Sequence, residues 1–140
     1  MSQHEVVLLL GSNIGDQKKN IDEALERLNE AGKISQHTDY LYTEPIEFVS
    51  CNIFCNIAAV IYTQLSPIQL LNFIKKTEVE MGRNQDSTVT LGYTDRIIDI
   101  DIVKYDYLNF RSKRLVVPHE KHLFCREFSK SLLRELKLNT

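Results

Sequence analysis

The chain has 140 residues, 43% of them hydrophobic, and a formal net charge of −2. That is enough apolar material for one domain with its own core, without disulfide staples. The near-neutral, interspersed charge argues against a duplex nucleic-acid binder, which needs a basic excess.

In chain order, "EVVLLL" (5–10) is a short apolar run rich in β-formers, ending at the two-glycine loop "GSNIGD". It reads as a central strand buried on both faces. Asp16 can cap the helix that follows, in which Ile21, Ala24, Leu25, Leu28 and Ala31 recur at helical spacing until Gly32. Residues 33–42 end in "YLY" and suggest one strand, and "TEPIEFVSCN" reads as a loop. "IFCNIAAVIYT" (53–63) is a long strand whose imperfect alternation implies cover on both faces. "SPIQLLNFIKKTEVEMG" is the clearest helix, with Ser66 as N-cap, Pro67 at the first helical position and Gly82 as the stop. A polar loop over 83–95 leads into the strand "RIIDIDIVKYD". "LNFRSKRLVV" is a further strand or hairpin arm, and the tail from about Arg126 to Leu136 looks helical. The order β-α-β-β-α-β plus a C-terminal extension is the ferredoxin-like plan: α+β, a mainly antiparallel sheet with helices packed on it. The expectation is a single domain over 1–140.

Three cysteines, Cys51, Cys55 and Cys125, cannot all pair within one chain. A zinc site would need His119 and His122 to join them through folding. The plainer reading is reduced thiols. The run Val6–Leu10 lacks a basic flank and is too short to span a bilayer, so a cytoplasmic monomer without a membrane partner is expected.

The strand at 96–106 poses the chemical question. Side chains at i and i+2 share a face, so Asp99 and Asp101 stand side by side while Ile98, Ile100 and Ile102 cover the other face. Adjacent carboxylates repel and need a cation: a protein group such as Arg83, Arg96 or Lys104, or Mg²⁺, a hard ion that prefers carboxylate oxygens. The plain alternative is a wet face of ordinary acids. Glu78 falls on one helical stripe with Leu71, Ile74 and Met81, and an acid there needs a partner or a route to water. Arg83 and Arg96 bracket the polar loop and can hold phosphate bidentately, although two surface arginines answering local acids would look the same. "GSNIGD" lacks the Lys-Ser/Thr end of a P-loop and is not a dinucleotide fingerprint. From the residues alone, Mg-dependent phosphate chemistry is the sharpest reading.

The segments "GSNIGD", "TEP", "FCNIAAV", "EVEMGR", "RIIDIDIVKYD", "RLVVPHEKH" and "REF", in this order, resemble the 6-hydroxymethyl-7,8-dihydropterin pyrophosphokinase family. The resemblance implies a ferredoxin-like α/β sandwich and transfer of pyrophosphate from ATP to the pterin alcohol in folate biosynthesis, giving AMP. It implies that Asp99 and Asp101 hold two Mg²⁺ ions bridging the ATP phosphates, with Arg83 and Arg96 as the catalytic arginines. Glu78, Ile102, Arg114, His119 and Arg126 match positions on the ATP side. Phe54 and Phe128 match the aromatics that sandwich the pterin, Asn56 the side chain that reads its amide edge, and Thr43, Pro45 and Ile46 the lining of that pocket.

The chain departs from the family pattern in places. Residues 84–95 hold no Arg or Lys, Tyr93 stands where Trp is usual, and Asp95 stands where Pro is usual. Glu47 replaces a glycine, the segment before Arg126 is one residue longer, and "EFSKSLL" lacks the usual apolar run. Two alternatives therefore stay open: a divergent relative that binds pterin or nucleotide with little turnover, and a ferredoxin-like binding module without catalysis.

Overall fold

A computed structural model of the chain describes residues 3–43, 53–82 and 97–139. Strand β1 (His4–Ser12) lies at the centre of the sheet, as its unbroken apolar run requires. It pairs antiparallel with β4 (Phe54–Thr63) on one side and β5 (Asp99–Tyr105) on the other. Strand β2 (Lys33–His37) pairs with the far side of β4, giving the order β2-β4-β1-β5. Helix α1 (Gln17–Leu28) connects β1 to β2, and helix α2 (Pro67–Glu80) connects β4 to β5. This is the ferredoxin-like βαββαβ arrangement, as the element order predicts.

The stretch expected as one strand over 33–42 is two. Strand β3 (Leu41–Thr43) pairs with the first residues of β4, whereas β2 pairs with its last. The break falls at Thr38, whose N–H donates to the Ala58 carbonyl (2.9 Å) and whose hydroxyl accepts from the Ala58 N–H (3.0 Å). A side-chain oxygen has taken a carbonyl's place in the ladder, which ends regular pairing there.

Both helix starts are capped as their sequences suggest. Asp16 accepts from the Lys19 N–H, and Ser66 and Gln69 form a reciprocal capping box ahead of Pro67. Ile21, Ala24, Leu25 and Leu28 of α1 and Leu70, Leu71 and Ile74 of α2 pack on one face of the sheet. That face supplies Val6, Leu8, Leu10, Ile57, Ala59, Ile61, Ile100 and Ile102. The opposite face carries a smaller cluster of Val7, Leu9, Ala58, Val60 and Val103, closed by Leu132 of α3 (Glu127–Arg134). Both faces of β4 are thus covered, which accounts for its imperfect alternation.

After β5, a two-stranded hairpin of β6 (Phe110–Arg111) and β7 (Val116–Val117) leads to a π-helical turn, Lys121–Cys125. The Arg126 N–H donates to the Lys121 carbonyl, five residues back, at 2.9 Å. A wide turn of this kind absorbs one extra residue without displacing the helix that follows. It lies in the segment that is one residue longer than in the family the sequence resembles. Among the described residues, no helix is long and apolar enough to cross a membrane.

Candidate active site

Sheet register places the aspartates. Ile100 lies opposite Leu10 and Ile102 opposite Leu8, both in the main core, whereas Asp101 lies opposite Leu9 on the α3 face. Asp99 shares that face and lies opposite Gly11. Gly11 in turn lies opposite Asn56 on its other side, and Asn56 opposite Leu41. One row across the sheet therefore reads Asn56, Gly11, Asp99, spanning about 10 Å at two strand spacings. A Cβ built on Gly11 would stand 2.5 Å from Asn56 Oδ1, so the missing side chain is what lets the Asn56 amide lean over the strand. Asn56 is nearly buried, with its amide nitrogen in a long 3.5 Å contact to Thr43 Oγ1. Thr43 pairs with Phe54 at the start of β4.

Strand β5 is an edge strand, and α2 seals it. Glu78 is 2% exposed, and its Oε2 accepts from the Ile100 N–H at 2.8 Å, between the two aspartates. Lys75 Nζ lies 3.4 Å from the other carboxylate oxygen. The acid on an apolar stripe thus satisfies a backbone donor that the edge would leave open.

Beside this edge is a cavity of about 390 Å³. Leu71, Ile102 and Leu115 give it an apolar wall, and Lys75, Arg111, Arg114 and Lys121 give it four cationic side chains against the carboxylates of Asp101 and Glu120. Such a site suits a ligand with a flat apolar part and several negative charges. Arg114 is steadied by Asn72, and Arg111 by Glu120 at 3.3 Å.

Asp101 and His119 line the same cavity. His122, 3% exposed, reaches Asp101 Oδ2 through Nε2 (2.8 Å) and Ser129 Oγ through Nδ1 (2.7 Å). The His119 ring lies 4.2 Å from that of His122. Ligand atoms of Asp101, His119 and His122 all fall within 4.8 Å of one another. Burial alone would raise the Asp101 carboxyl. The His122 hydrogen bond and the charges of His122, His119 and Lys75 outweigh it and hold that carboxyl below its ordinary value. Burial, followed by repulsion from His122, holds the His119 imidazole below its ordinary value, against the pull of Asp101.

A sequence comparison matches residues 7–138 to the model of the 7,8-dihydro-6-hydroxymethylpterin-pyrophosphokinase (HPPK) family. The chain belongs to the HPPK family. It is 34% identical over 133 residues to the 2-amino-4-hydroxy-6-hydroxymethyldihydropteridine pyrophosphokinase of Porphyromonas gingivalis, covering 94% of this chain and 89% of that protein. It is 38% identical over 118 residues to a folate synthesis bifunctional protein of Arabidopsis thaliana, covering 84% of this chain but only 24% of that protein. The fold is also that of a solved HPPK-DHPS chain in complex with substrates, with a TM-score of 0.58 at 18% identity, covering 79% of this chain and 29% of that one.

Within this HPPK fold, Asp101, Ile102, Arg114 and His119 meet at one cavity. Asp99, Asn56, Thr43 and Phe54 lie at the neighbouring end of the sheet. Phe128, in the first turn of α3, meets His122 edge-on at 6.3 Å and packs on the smaller cluster. Arg126 stands just before α3, and its charge reaches His119. Arg83, Arg96, Pro45 and Ile46 lie outside the described residues, as do Cys51 and the loop 84–95. The zinc alternative finds no support among the described residues: the two histidines gather with Asp101, not with buried Cys55.

The sequence reading assigned no role to Lys75, Arg111, Lys121, Ser129 or Gly11, nor any to His122 beyond the zinc alternative. Lys75 had a usable signal, being three residues before Glu78 and four after Leu71 on one helical face. His122 and Ser129 had none, because the π-turn shifts the phase on which helical spacing depends.

Proposed function

We propose that this domain, read as a single unit over residues 1–140, transfers pyrophosphate from ATP to 6-hydroxymethyl-7,8-dihydropterin and releases AMP. The row Asn56–Gly11–Asp99 is the observation that carries this reading. It sets an amide able to read a heterocycle about 10 Å from a carboxylate able to hold a cation, with a side-chain-free floor between. Family membership supports the same reaction.

Two carboxylates on one strand face fit Mg²⁺, since their hard oxygens suit it and Asp101 favours its ionised form. When bound, the two Mg²⁺ ions expected here would neutralise the phosphates and orient the β-phosphorus for in-line attack. The remaining work falls to the chain. Leu71, Ile102 and Leu115 take the adenine, and Lys75, Arg111, Arg114 and Lys121 steady the phosphates. Arg83 and Arg96, which bracket the loop in sequence, are expected to add positive charge toward the phosphates. Phe54 and Phe128 stack on the pterin, and Asn56 pairs with its polar edge, so a mispaired ligand leaves buried groups unsatisfied.

The test is AMP formation from ATP and 6-hydroxymethyl-7,8-dihydropterin, with and without Mg²⁺. AMP that requires both pterin and Mg²⁺ is the expected result. Pterin binding without AMP would overturn it in favour of a divergent binder, the reading that the arginine-free loop 84–95 favours.

A further inference from the structure

We infer that His122, braced by Ser129, is a positioning residue for the cation-binding carboxylate of Asp101. The inference rests on the cation role proposed for Asp101, and its basis is a hydrogen-bonded chain from that carboxylate to buried His122 and Ser129, to neither of which the family motifs give a role.

The π-turn brings His122 beneath β5, where only 3% of it is exposed. Both ring nitrogens are engaged: Nε2 at 2.8 Å from Asp101 Oδ2 and Nδ1 at 2.7 Å from Ser129 Oγ. Ser129 is fully buried on α3. The ring also meets His119, 4.2 Å away, and the edge-on Phe128 at 6.3 Å. An imidazole held at both nitrogens and buried among other rings has little freedom to turn.

The donor and acceptor inventory then fixes the direction of the bond to Asp101. An ionised carboxylate only accepts, so Nε2 carries the proton that reaches Asp101. In a neutral ring Nδ1 is bare and accepts from the Ser129 hydroxyl, which a seryl O–H can supply. In either charge state of the ring, His122 donates to Oδ2 and Ser129 Oγ holds the far nitrogen. With Oδ2 engaged, Asp101 presents Oδ1 to a cation, its plane held against the repulsion of neighbouring Asp99. Outer partners of this kind set the orientation of ligating groups. His122 acts through Asp101 and touches no reacting atom.

The competing arrangement makes His122 a ligand itself, with Asp101 and His119, for a softer divalent metal. That requires the opposite tautomer, Nε2 bare and Nδ1 donating to Ser129, so the two can be told apart without turnover.

The experiment compares the parent chain with His122→Leu, His122→Gln and Ser129→Ala, each checked for folding by thermal melting. Mn²⁺ affinity is read by electron paramagnetic resonance with a non-hydrolysable ATP analogue present. The Mg²⁺ concentration for half-maximal rate, kcat and the pterin KM are measured beside it. Losing the donor in His122→Leu should weaken Mn²⁺ and Mg²⁺ binding by about 10- to 100-fold, with the pterin KM within about twofold. His122→Gln, which restores a donor, should recover most of this. Ser129→Ala should cost about threefold, the size of one neutral hydrogen bond. Nitrogen-15 spectra of the Mg²⁺-loaded parent should show His122 still protonated at Nε2. A folded Leu variant with parental Mn²⁺ affinity overturns the inference while leaving the cation site intact. The opposite tautomer overturns it in favour of direct ligation. No Mn²⁺ binding by the parent chain removes both the cation role of Asp101 and the part argued for His122.

Discussion

The two faces of the sheet are built from the same strands but do different work. On the α1/α2 face, alternate residues of β1 and β4, with Ile100, Ile102 and, past a bulge, Tyr105 of β5, enter one continuous apolar core. On the α3 face, a small cluster around Leu132 leaves room at one end for Asn56, Asp99, Asp101, His122 and Ser129. Strand β5 shows the division residue by residue, with isoleucines turned to the core and aspartates to the site. Period-two alternation lets one strand be rigid on one side and reactive on the other. Stability and chemistry should therefore be separable by mutating neighbouring residues.

The largest effect expected is on the reactive side. Asp101→Asn or Asp99→Asn should lower kcat by about 1,000-fold or more, the scale of losing a charge-stabilising contact in the transition state. The melting temperature should move little for Asp99→Asn and fall modestly for Asp101→Asn, whose carboxylate is paired with buried His122. An Asn variant with parental kcat would remove that residue from the cation site. On the core side, Ile74→Ala should cost about 2–5 kcal/mol, since Ile74 is fully buried against the sheet. Its kcat per folded molecule should stay near parental, measured by urea titration beside turnover. A fall in kcat larger than the unfolded fraction explains would break the separation of the two faces.

Gly11→Ala sharpens the comparison at the row where the site begins. The new Cβ would meet Asn56 Oδ1 at 2.5 Å, and the amide at the end of a side chain can swing away. The fold should survive with a small loss. The pterin KM should rise by about tenfold, or about 1.4 kcal/mol, with the ATP KM near parental. A variant that binds pterin as the parent does would show that Asn56 does not read it.

Most of the architecture was legible because it rests on local patterns. Asp16, Ser66 and Pro67 mark helix starts, and the run 5–10 marks a strand covered on both sides. The aspartate pair was legible for the same reason, since i and i+2 fix a shared face. What escaped depends on contacts distant in sequence. The break at Thr38 needs Ala58 as its partner, 20 residues on. The bond from Glu78 to the Ile100 backbone crosses 22 residues and turns a stripe acid into an edge seal. His122 meets Asp101 across 21 residues from a turn whose hydrogen bonds follow neither helical nor strand period.

The smallest effect concerns a polar atom on the apolar face. Tyr105, near the end of β5, is 3% exposed, and its hydroxyl donates to the Leu65 carbonyl at 2.5 Å. Burial, with a smaller push from the Asp106 charge, raises its hydroxyl from 10.0 to about 12. A group raised in the folded state contributes stability that is fully present below its unfolded value. That contribution is lost as pH climbs from 10 toward 12, because the unfolded chain releases the proton first. Tyr105→Phe should cost about 1 kcal/mol near neutral pH, through the lost bond and the carbonyl left without its donor. The variant should also lack this alkaline loss. Urea titrations at pH 8, 10 and 11.5 should therefore show the two proteins converging as pH rises. If their stabilities stay a constant distance apart, the Tyr105 hydroxyl ionises as it would in water, and the apolar face is wetter at this end than its packing implies.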